Sequence, residues 1–205
     1  MNNAYVARHN DIGLKVHSTI REGTMGRWLM LHDFGREDGE LALGTIPEWM
    51  LPREDLLGIP EVKYKVRKAD GSGDWEGKSG YKPDMVIVQG WPEAAGPPPR
   101  PMKAYMGGER GGEGGRRRVE LKLVEFGVTS DLQWVNRVHM SKAKYAELVR
   151  RLRRAGWNVD EEVEVVTVGV RAAVPKRNKG ALEGLGVDTG RARKALQEAM
   201  VGITA

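Results

Sequence analysis

The chain has 205 residues, with 33 lysines and arginines against 28 aspartates and glutamates, and it contains no cysteine. The absence of cysteine excludes disulfides, thiolate zinc sites and a cysteine nucleophile, while a hydrophobic content of 40% excludes a wholly disordered chain. The apolar runs are too short to span a bilayer, so we expect a soluble intracellular protein with no membrane partner, and the net charge of +5 suits a polyanion. The length predicts a single domain over residues 1–205.

The N-terminal part predicts one helix and one strand. The helix covers 4–22, because apolar side chains recur along it at helical spacing. The strand covers 27–31, where four apolar residues follow an arginine. Residues 35–80 contain three prolines and many charges, so we interpret them as an insertion or as irregular connections with a short strand near 62–66.

Two strands in the middle of the chain are separated by a segment rich in glycine and proline. The first, over 85–89, is a short apolar run, and the second, over 119–126, alternates apolar and polar residues. Between them, 91–117 contains six glycines within 107–115 and five of the chain's ten prolines within 92–101. We therefore expect a flexible insertion that joins two strands of a hairpin.

The C-terminal part predicts a helix, a strand and a helical tail. The helix covers 141–155, with Ser141 as its N-terminal cap, and its apolar residues form one stripe. The strand covers 163–170, and the last helix of the tail lies near 189–201. The order of elements predicts the α/β (α+β) class, with a small mixed central sheet.

Three charged residues on the two central strands form a candidate site. Asp84 opens the first strand, while Glu120 and Lys122 project from one face of the second because they are two residues apart. If the strands pair as a hairpin, Asp84 approaches that face as well. Two carboxylates without thiols suit Mg²⁺, which can polarise a phosphodiester. Alternatively, Asp84 caps a turn, and Glu120 and Lys122 form a solvated strand face.

The motifs that surround these residues resemble those of a nuclease family. Asp84, Glu120 and Lys122 resemble the pattern of the PD-(D/E)xK superfamily. More specifically, the chain resembles the restriction-like endonuclease domain of site-specific non-LTR retrotransposons over about 4–22 and 81–190. The motifs that carry this resemblance are Arg8-His9-Asn10, Lys82-Pro83-Asp84, Glu120 followed by Glu125, Lys142-Ala143-Lys144-Tyr145, Gly156-Trp157-Asn158-Val159 and Val168-Gly169.

The resemblance implies a fold, a cofactor and an activity. The fold would be a restriction-endonuclease-like αβββαβ core with a helical C-terminal tail. The activity would be metal-dependent hydrolysis that nicks double-stranded DNA and frees a 3′-hydroxyl for target-primed reverse transcription. Mg²⁺ would be the cofactor, with Mn²⁺ able to substitute. A reverse transcriptase region of a larger polyprotein would be the partner, and the location would be nuclear.

The resemblance also assigns roles to residues. Asp84 and Glu120 would be the metal ligands, and Lys122 the catalytic lysine. Within this family the lysine can come from the following helix instead, which makes Lys142 and Lys144 rivals. Glu125 is the alternative acid, although it would face the opposite side of an unbulged strand. The insertion over 91–117 is longer than the family's usual spacing, which leaves the position of Glu120 open.

Basic residues around the site predict contact with nucleic acid. Cations flanking a metal site would neutralise phosphates, although such residues are usually the solvated face of a helix. His9, on the apolar stripe of its helix, is more often a core residue than a ligand. The predicted nucleic-acid-binding residues are Arg8, His9, Lys82, Arg116, Arg117, Arg118, Lys142, Lys144, Arg150 and Arg151. The alternative functions are a non-catalytic nucleic-acid-binding module with a nuclease fold, or a repair or restriction nuclease of the same superfamily.

Overall fold

A four-stranded sheet with helices on both faces forms the core of the protein. The computed structural model describes residues 3–23, 27–34, 46–98, 119–130, 133–169 and 174–201. In chain order, its helices and strands are α1 (Asn3–Glu22), β1 (Trp28–His32), α2 (Arg53–Leu57), β2 (Lys63–Arg67), β3 (Asp74–Lys78), β4 (Met85–Pro92), β5 (Glu120–Thr129), α3 (Trp134–Arg154), β6 (Glu164–Gly169), α4 (Asn178–Gly184) and α5 (Thr189–Val201). Short 3-10 turns lie at Ile59–Glu61 and Glu93–Ala95.

The central sheet is mixed, with strand order β1-β4-β5-β6. β1 and β4 are antiparallel, as are β4 and β5, whereas β5 and β6 are parallel. A parallel pair needs a crossover connection, and α3 lies in the connection between β5 and β6. The register of β4 and β5 places Met85 opposite Val124 and Gln89 opposite Glu120. This register determines which charged residues meet at the end of the hairpin.

Alternate residues of the strands enter two separate hydrophobic clusters, because successive side chains of a strand point to opposite faces. Val86 and Val88 of β4 pack in one cluster with apolar residues of α3. Met85 and Ile87 pack in the other with Ile12 of α1 and with residues of α4 and α5. Burial of both faces explains why β4 is an apolar run rather than an alternating one.

A second, two-stranded sheet consists of the hairpin β2–β3. It lies within the segment 35–80, and both of its strands contact α3. The strand expected near 62–66 is therefore confirmed as β2. Residues 35–45 lie outside the described part of the chain.

The protein is a mixed α+β structure with a mixed central sheet, as predicted, but α2 and β3 within the segment 35–80 are elements that the sequence did not predict. The helix over 4–22, the central antiparallel pair, β6 and the helical tail all lie where the sequence predicts them, within a few residues. No helix in the described ranges is long and apolar enough to cross a membrane.

Two predicted boundaries are wrong. The central helix begins at Trp134 rather than at Ser141, and Ser141 is buried inside it instead of capping it. The predicted insertion begins too early, because Trp91 and Pro92 belong to β4 and a 3-10 turn follows at Glu93–Ala95. The remainder of the predicted insertion, from 99 to 117, lies outside the described residues.

Candidate active site

Asp84 lies at the end of the β4–β5 hairpin, one residue before β4, and its side chain is largely buried. Its Oδ2 accepts a hydrogen bond of 2.7 Å from the backbone N–H of Phe126 in β5. The same oxygen lies 3.1 Å from Nε2 of His9 in α1. Burial alone would lower the pKa of His9, but the hydrogen bond and the negative charge of Asp84 outweigh it and raise the pKa above its ordinary value. Asp84 and His9 therefore form a charge-assisted pair.

Glu125 is the second acid at this end of the hairpin. Asp84 and Glu125 each lie one position beyond the last paired residues, Met85 and Val124. The Glu125 side chain is only 4% exposed. Burial raises the pKa of Glu125, and the negative charge of Asp84 raises it further. Two neighbouring carboxylates, one of them buried, make an electronegative site that a cation would stabilise.

Three residues of α3 contact the carboxylate of Glu125. Lys144 Nζ lies 3.1 Å from Oε1, and Arg137 Nη2 lies 3.5 Å from the same oxygen. Tyr145 Oη lies 2.6 Å from Oε2. The buried acid therefore has two cationic partners and one hydroxyl partner, which offset part of the cost of burying its charge.

Tyr145 connects Glu125 to the backbone of the segment that precedes Asp84. Its Oη also lies 2.7 Å from the carbonyl oxygen of Lys82. Burial and the charge of Glu125 raise the pKa of Tyr145, so this hydroxyl keeps its proton. With one proton and two acceptors, Tyr145 can donate to both only in turn. When Glu125 is protonated, it can donate to Tyr145 while Tyr145 donates to Lys82.

Gly80 brings the chain into close contact with Lys144. Its backbone N–H donates a hydrogen bond of 2.6 Å to the carbonyl oxygen of Lys144. A Cβ at Gly80 would lie 2.7 Å from Cε of Lys144 and 2.9 Å from Cε1 of Tyr145. Only glycine fits this close approach without a shift, and the contact confines the Lys144 side chain on the side of Glu125.

The expected meeting of Asp84 with Glu120 and Lys122 does not occur. The register pairs Glu120 with Gln89, five residues from Asp84 along β4, which corresponds to roughly 17 Å. Glu120 and Lys122 do share a face, as predicted, since Lys122 Nζ lies 3.0 Å from Glu120 Oε1. Lys122 also lies 2.7 Å from Asp160. The prediction that Asp84 lies beside Glu120 is wrong, because in the observed register Glu120 pairs with Gln89 and the position opposite Asp84 is that of Glu125.

The two lysines of the central helix have different surroundings. Lys142 contacts Glu162, whereas Lys144 contacts Glu125. Of the two rivals to Lys122, Lys144 is therefore the one at the acidic pair. Glu125 lies five residues after Glu120 on β5, and an odd number of residues places two side chains on opposite faces of a strand, as predicted.

The other predicted nucleic-acid-binding residues have varied positions. Lys82 lies 2.5 Å from Asp33, and its carbonyl accepts from Tyr145. Arg150 and Arg151 both bind Glu147, at least a helical turn from Lys144. The side chain of Arg8 and the whole of 116–118 lie outside the described residues.

Sequence reasoning missed the polar roles of Tyr145 and Arg137. Tyr145 fits the apolar stripe of α3, and only its hydroxyl contacts show that it also holds Glu125. Arg137 lies before the predicted start of the helix, so its approach to Glu125 has no periodic signal. A tyrosine directly after Lys144 on a buried stripe was the one available indication.

The acidic pair has the chemistry of a magnesium site. Mg²⁺ in phosphoryl-transfer sites is commonly held by one or two carboxylates, with waters and substrate phosphates as the remaining ligands. Within the described ranges, no group of three or more His, Cys, Asp or Glu side chains is arranged to hold a metal. Asp84 Oδ1 accepts no hydrogen bond from a described residue and is free to bind a cation. The donor set therefore fits an ion that is completed by water and phosphate oxygens.

Comparison with known proteins found no match. No family model matches the chain, and no curated protein and no solved structure matches it.

Proposed function

We propose that this protein is a metal-dependent DNA endonuclease in which Asp84 and Glu125 hold the metal and Lys144 is the catalytic lysine. The observation that carries the proposal is the meeting of these three side chains at one end of the β4–β5 hairpin. Burial, two carboxylates and a lysine at 3.1 Å from Glu125 form the type of cluster that perturbs pKa values at functional sites.

The topology supports a restriction-endonuclease-like core. In the central sheet, three antiparallel strands, a crossover helix and a fourth, parallel strand follow α1 in the αβββαβ order that the resemblance implies, with α2 and the hairpin β2–β3 inserted between β1 and β4. Asp84 directly precedes β4, the second of these strands, and Glu125 lies on β5, the third. Lys144 comes from the crossover helix, which is the variant placement open to this family.

Each side chain has a defined task in phosphodiester hydrolysis. Asp84 and Glu125 would hold Mg²⁺, which would polarise the phosphodiester and stabilise charge on the oxygens around phosphorus. The Lys144 ammonium has donors beyond its contact with Glu125, and these can orient the attacking water. The water oxygen forms a bond to phosphorus while the bond from phosphorus to O3′ breaks. O3′ takes up a proton, the water loses one, and the products are a 3′-hydroxyl and a 5′-phosphate.

The biological role follows from the product. A nick that frees a 3′-hydroxyl supplies a primer for target-primed reverse transcription of a retrotransposon. We propose double-stranded DNA as substrate, a reverse transcriptase region of a larger polyprotein as partner, and the nucleus as location. The motifs that carry the resemblance are the support for this role.

Plasmid nicking tests the proposal. Supercoiled plasmid is incubated with the protein and Mg²⁺ or Mn²⁺, with EDTA as the metal-free control. We expect open-circular product only with metal, and loss of nicking in Asp84→Asn. Asp160→Asn, which removes a carboxylate near Lys122 instead, should nick at the wild-type rate. Equal nicking by wild type and Asp84→Asn would contradict the assignment.

A non-catalytic nucleic-acid-binding module is the second candidate. The observation that favours it is Gly127, which occupies the position two residues after Glu125 where the superfamily pattern places a lysine. Arg137 fills the space beside Gly127, 3.0 Å from the place of a Cβ. Such a module would bind nucleic acid equally well with EDTA and leave it uncut. A repair or restriction nuclease would instead cleave with its own structure or sequence preference.

A further inference from the structure

We propose that the outer face of the hairpin β2–β3 binds the phosphate backbone of the DNA duplex and holds it over the site at Asp84 and Glu125. This inference rests on the proposed nuclease function. It concerns a segment of the chain to which neither the family motifs nor the predicted nucleic-acid-binding residues extend.

The hairpin has an outer and an inner face. In β2, Lys63, Lys65 and Arg67 are exposed, and the two residues between them are half-buried. Tyr64 and Val66 therefore form the inner face, with the Tyr64 ring lying across Gly77. A row of three cations at a period of two is the spacing that presents them all to one partner.

Cross-strand pairing leaves cations on the outer face without acidic partners. Lys65 bridges both acids of β3, at 3.1 Å from Asp74 and 3.3 Å from Glu76. Arg67 lies opposite Asp74 but forms no ion pair with a described residue. Because Lys65 occupies the acids, the charge of Arg67 is available to a ligand.

Lys63 and Lys78 lie directly opposite each other in the ladder. Neither forms an ion pair with a residue in the described part of the chain. Like charges directly opposite in an antiparallel pair destabilise it. A polyanion seated on this face would remove that repulsion, which is the charge complementarity that identifies the partner.

The hairpin is held at both ends, so its outer face is a fixed surface. At its tip, the Ala69 N–H donates a hydrogen bond of 2.9 Å to Oδ1 of Asn136. At its base, Ser79 N–H donates to Val62, and Gly80 N–H to Lys144. Asn136 and Lys144 are eight residues apart on α3, about 12 Å, so the hairpin lies along this helix.

The base of the hairpin leads directly to the candidate active site. The carbonyl oxygen of Lys144 accepts a hydrogen bond from the N–H of Gly80, and the Lys144 side chain contacts Glu125. Asp84 follows Gly80 by four residues. A duplex with one phosphate at Asp84 and Glu125 would thus have neighbouring phosphates near Lys78 and Lys63.

The test measures duplex binding by the full chain in EDTA, where cleavage is absent. The triple variant Lys63→Gln, Arg67→Gln and Lys78→Gln is compared with wild type on a labelled DNA duplex over a salt series. We expect binding at least about tenfold weaker and a log–log salt slope shallower by about 2.7, since each lost phosphate contact removes about 0.9. The matched control, Lys15→Gln, Lys179→Gln and Lys194→Gln, removes three exposed charges from helices that pack on the opposite face of the sheet and should bind with a smaller loss.

A second variant separates binding from folding. Lys78→Glu replaces the repulsion with Lys63 by an attraction, so we expect a higher Tm together with weaker duplex binding. A lysine with a merely structural role would not show this opposite response. A lower Tm with unchanged binding would overturn the proposal.

The outcomes distinguish this surface from the nuclease itself. If wild type nicks DNA and the triple variant binds duplex like its control, the hairpin proposal fails while the nuclease stands. If wild type binds but never nicks, and the triple variant loses binding, the surface stands and the nuclease fails. Two results would overturn the proposal. One is a triple variant that loses binding to an RNA duplex but still binds the DNA duplex, and the other is a wild-type protein that does not bind the DNA duplex.

Discussion

The backbone N–H of Phe126 donates a hydrogen bond of 2.7 Å to Oδ2 of Asp84, which joins the loop before β4 to the middle of β5. Phe126 directly follows Glu125, so this bond aligns the two strands at the position where both acids lie. The same bond holds one oxygen of Asp84 and leaves Oδ1 free of hydrogen bonds from described residues. The pairing of β4 with β5 therefore also brings Asp84 and Glu125 together at the site.

Glu125 and Glu120 give opposite expectations for nicking. Glu125→Gln removes a carboxylate next to Asp84 and should lower the nicking rate by a factor on the order of 10³, because the developing charge at phosphorus loses its metal. Glu120→Gln, on the same strand, should change the rate less than threefold or so, within the scatter of surface substitutions. Single-turnover nicking at saturating Mg²⁺ measures both. A large loss of nicking rate in Glu120→Gln, with little loss in Glu125→Gln, would instead support Glu120 as the metal ligand.

Lys144 and Lys142 form a second matched pair on one helix. Lys144→Met should lower the nicking rate by roughly 10²–10⁴, the usual contribution of a positioned acid–base group. Lys142→Met removes the same charge two residues away and should keep most activity, because Lys142 contacts Glu162. Duplex binding of the two variants should be similar. Equal loss of nicking in both would indicate a general charge effect instead of a catalytic lysine.

Gly80 is expected to position Lys144. In Gly80→Ala, the new methyl group would lie 2.7 Å from Cε of Lys144, so the Lys144 side chain must shift, and we expect its ammonium to be displaced from Glu125. We expect a nicking rate lower by about tenfold and a stability loss of about 1–3 kcal/mol from overpacking. Gly180→Ala is the control, because nothing lies within 4 Å of its added Cβ and alanine favours a helix.

A double-mutant cycle tests whether Gly80 acts through Lys144. If it does, Gly80→Ala should add little to the rate loss of Lys144→Met. Independent, multiplying losses would mean that Gly80 supports the site through another contact, such as the Tyr145 ring, which would lie 2.9 Å from the added carbon.

The stability of Glu125→Gln should depend on pH. Folding raises the pKa of Glu125 above its unfolded value, chiefly by burial, so its ionisation destabilises the folded state once pH exceeds the unfolded pKa. The amide carries no charge, so Glu125→Gln should gain in Tm relative to wild type as pH rises from the unfolded pKa of about 4.3 towards the raised folded pKa. Thermal unfolding at a series of pH values measures the difference.

Glu147 provides the opposite case. Burial alone would raise the pKa of Glu147, but the hydrogen bonds from Arg150 and Arg151 outweigh it and lower the pKa. Its charge therefore stabilises the folded state above the unfolded pKa, and this contribution is lost as pH falls through the folded pKa. Glu147→Gln should lower Tm at neutral pH and converge with wild type in acid. The same pH trend in both variants would contradict the two assignments.

The sequence by itself determined the order of the strands of the central sheet and of the helices that flank it, together with the position of Asp84 before a strand. Helical spacing along 4–22 and the apolar run at 85–88 are local patterns, and each predicts its element without knowledge of the partner. The motif Lys82-Pro83-Asp84 directly precedes this apolar run, so the sequence also predicts that Asp84 lies at the start of a strand. The start of α3 was missed because Ser141 interrupts the apolar stripe between Val138 and Tyr145, and a serine at such a break is also a typical N-terminal cap.

The tertiary structure alone decided which residues join Asp84. Strand register determines whether Glu120 or Glu125 stands beside it, and register depends on packing across the sheet, here Met85 opposite Val124. Likewise, the positions of Lys142 and Lys144 along the helix do not predict which of the two lysines contacts Glu125, because that contact depends on how α3 packs on the sheet. Local patterns specify faces and elements, but the distance between two side chains far apart in sequence is set only when the layers pack.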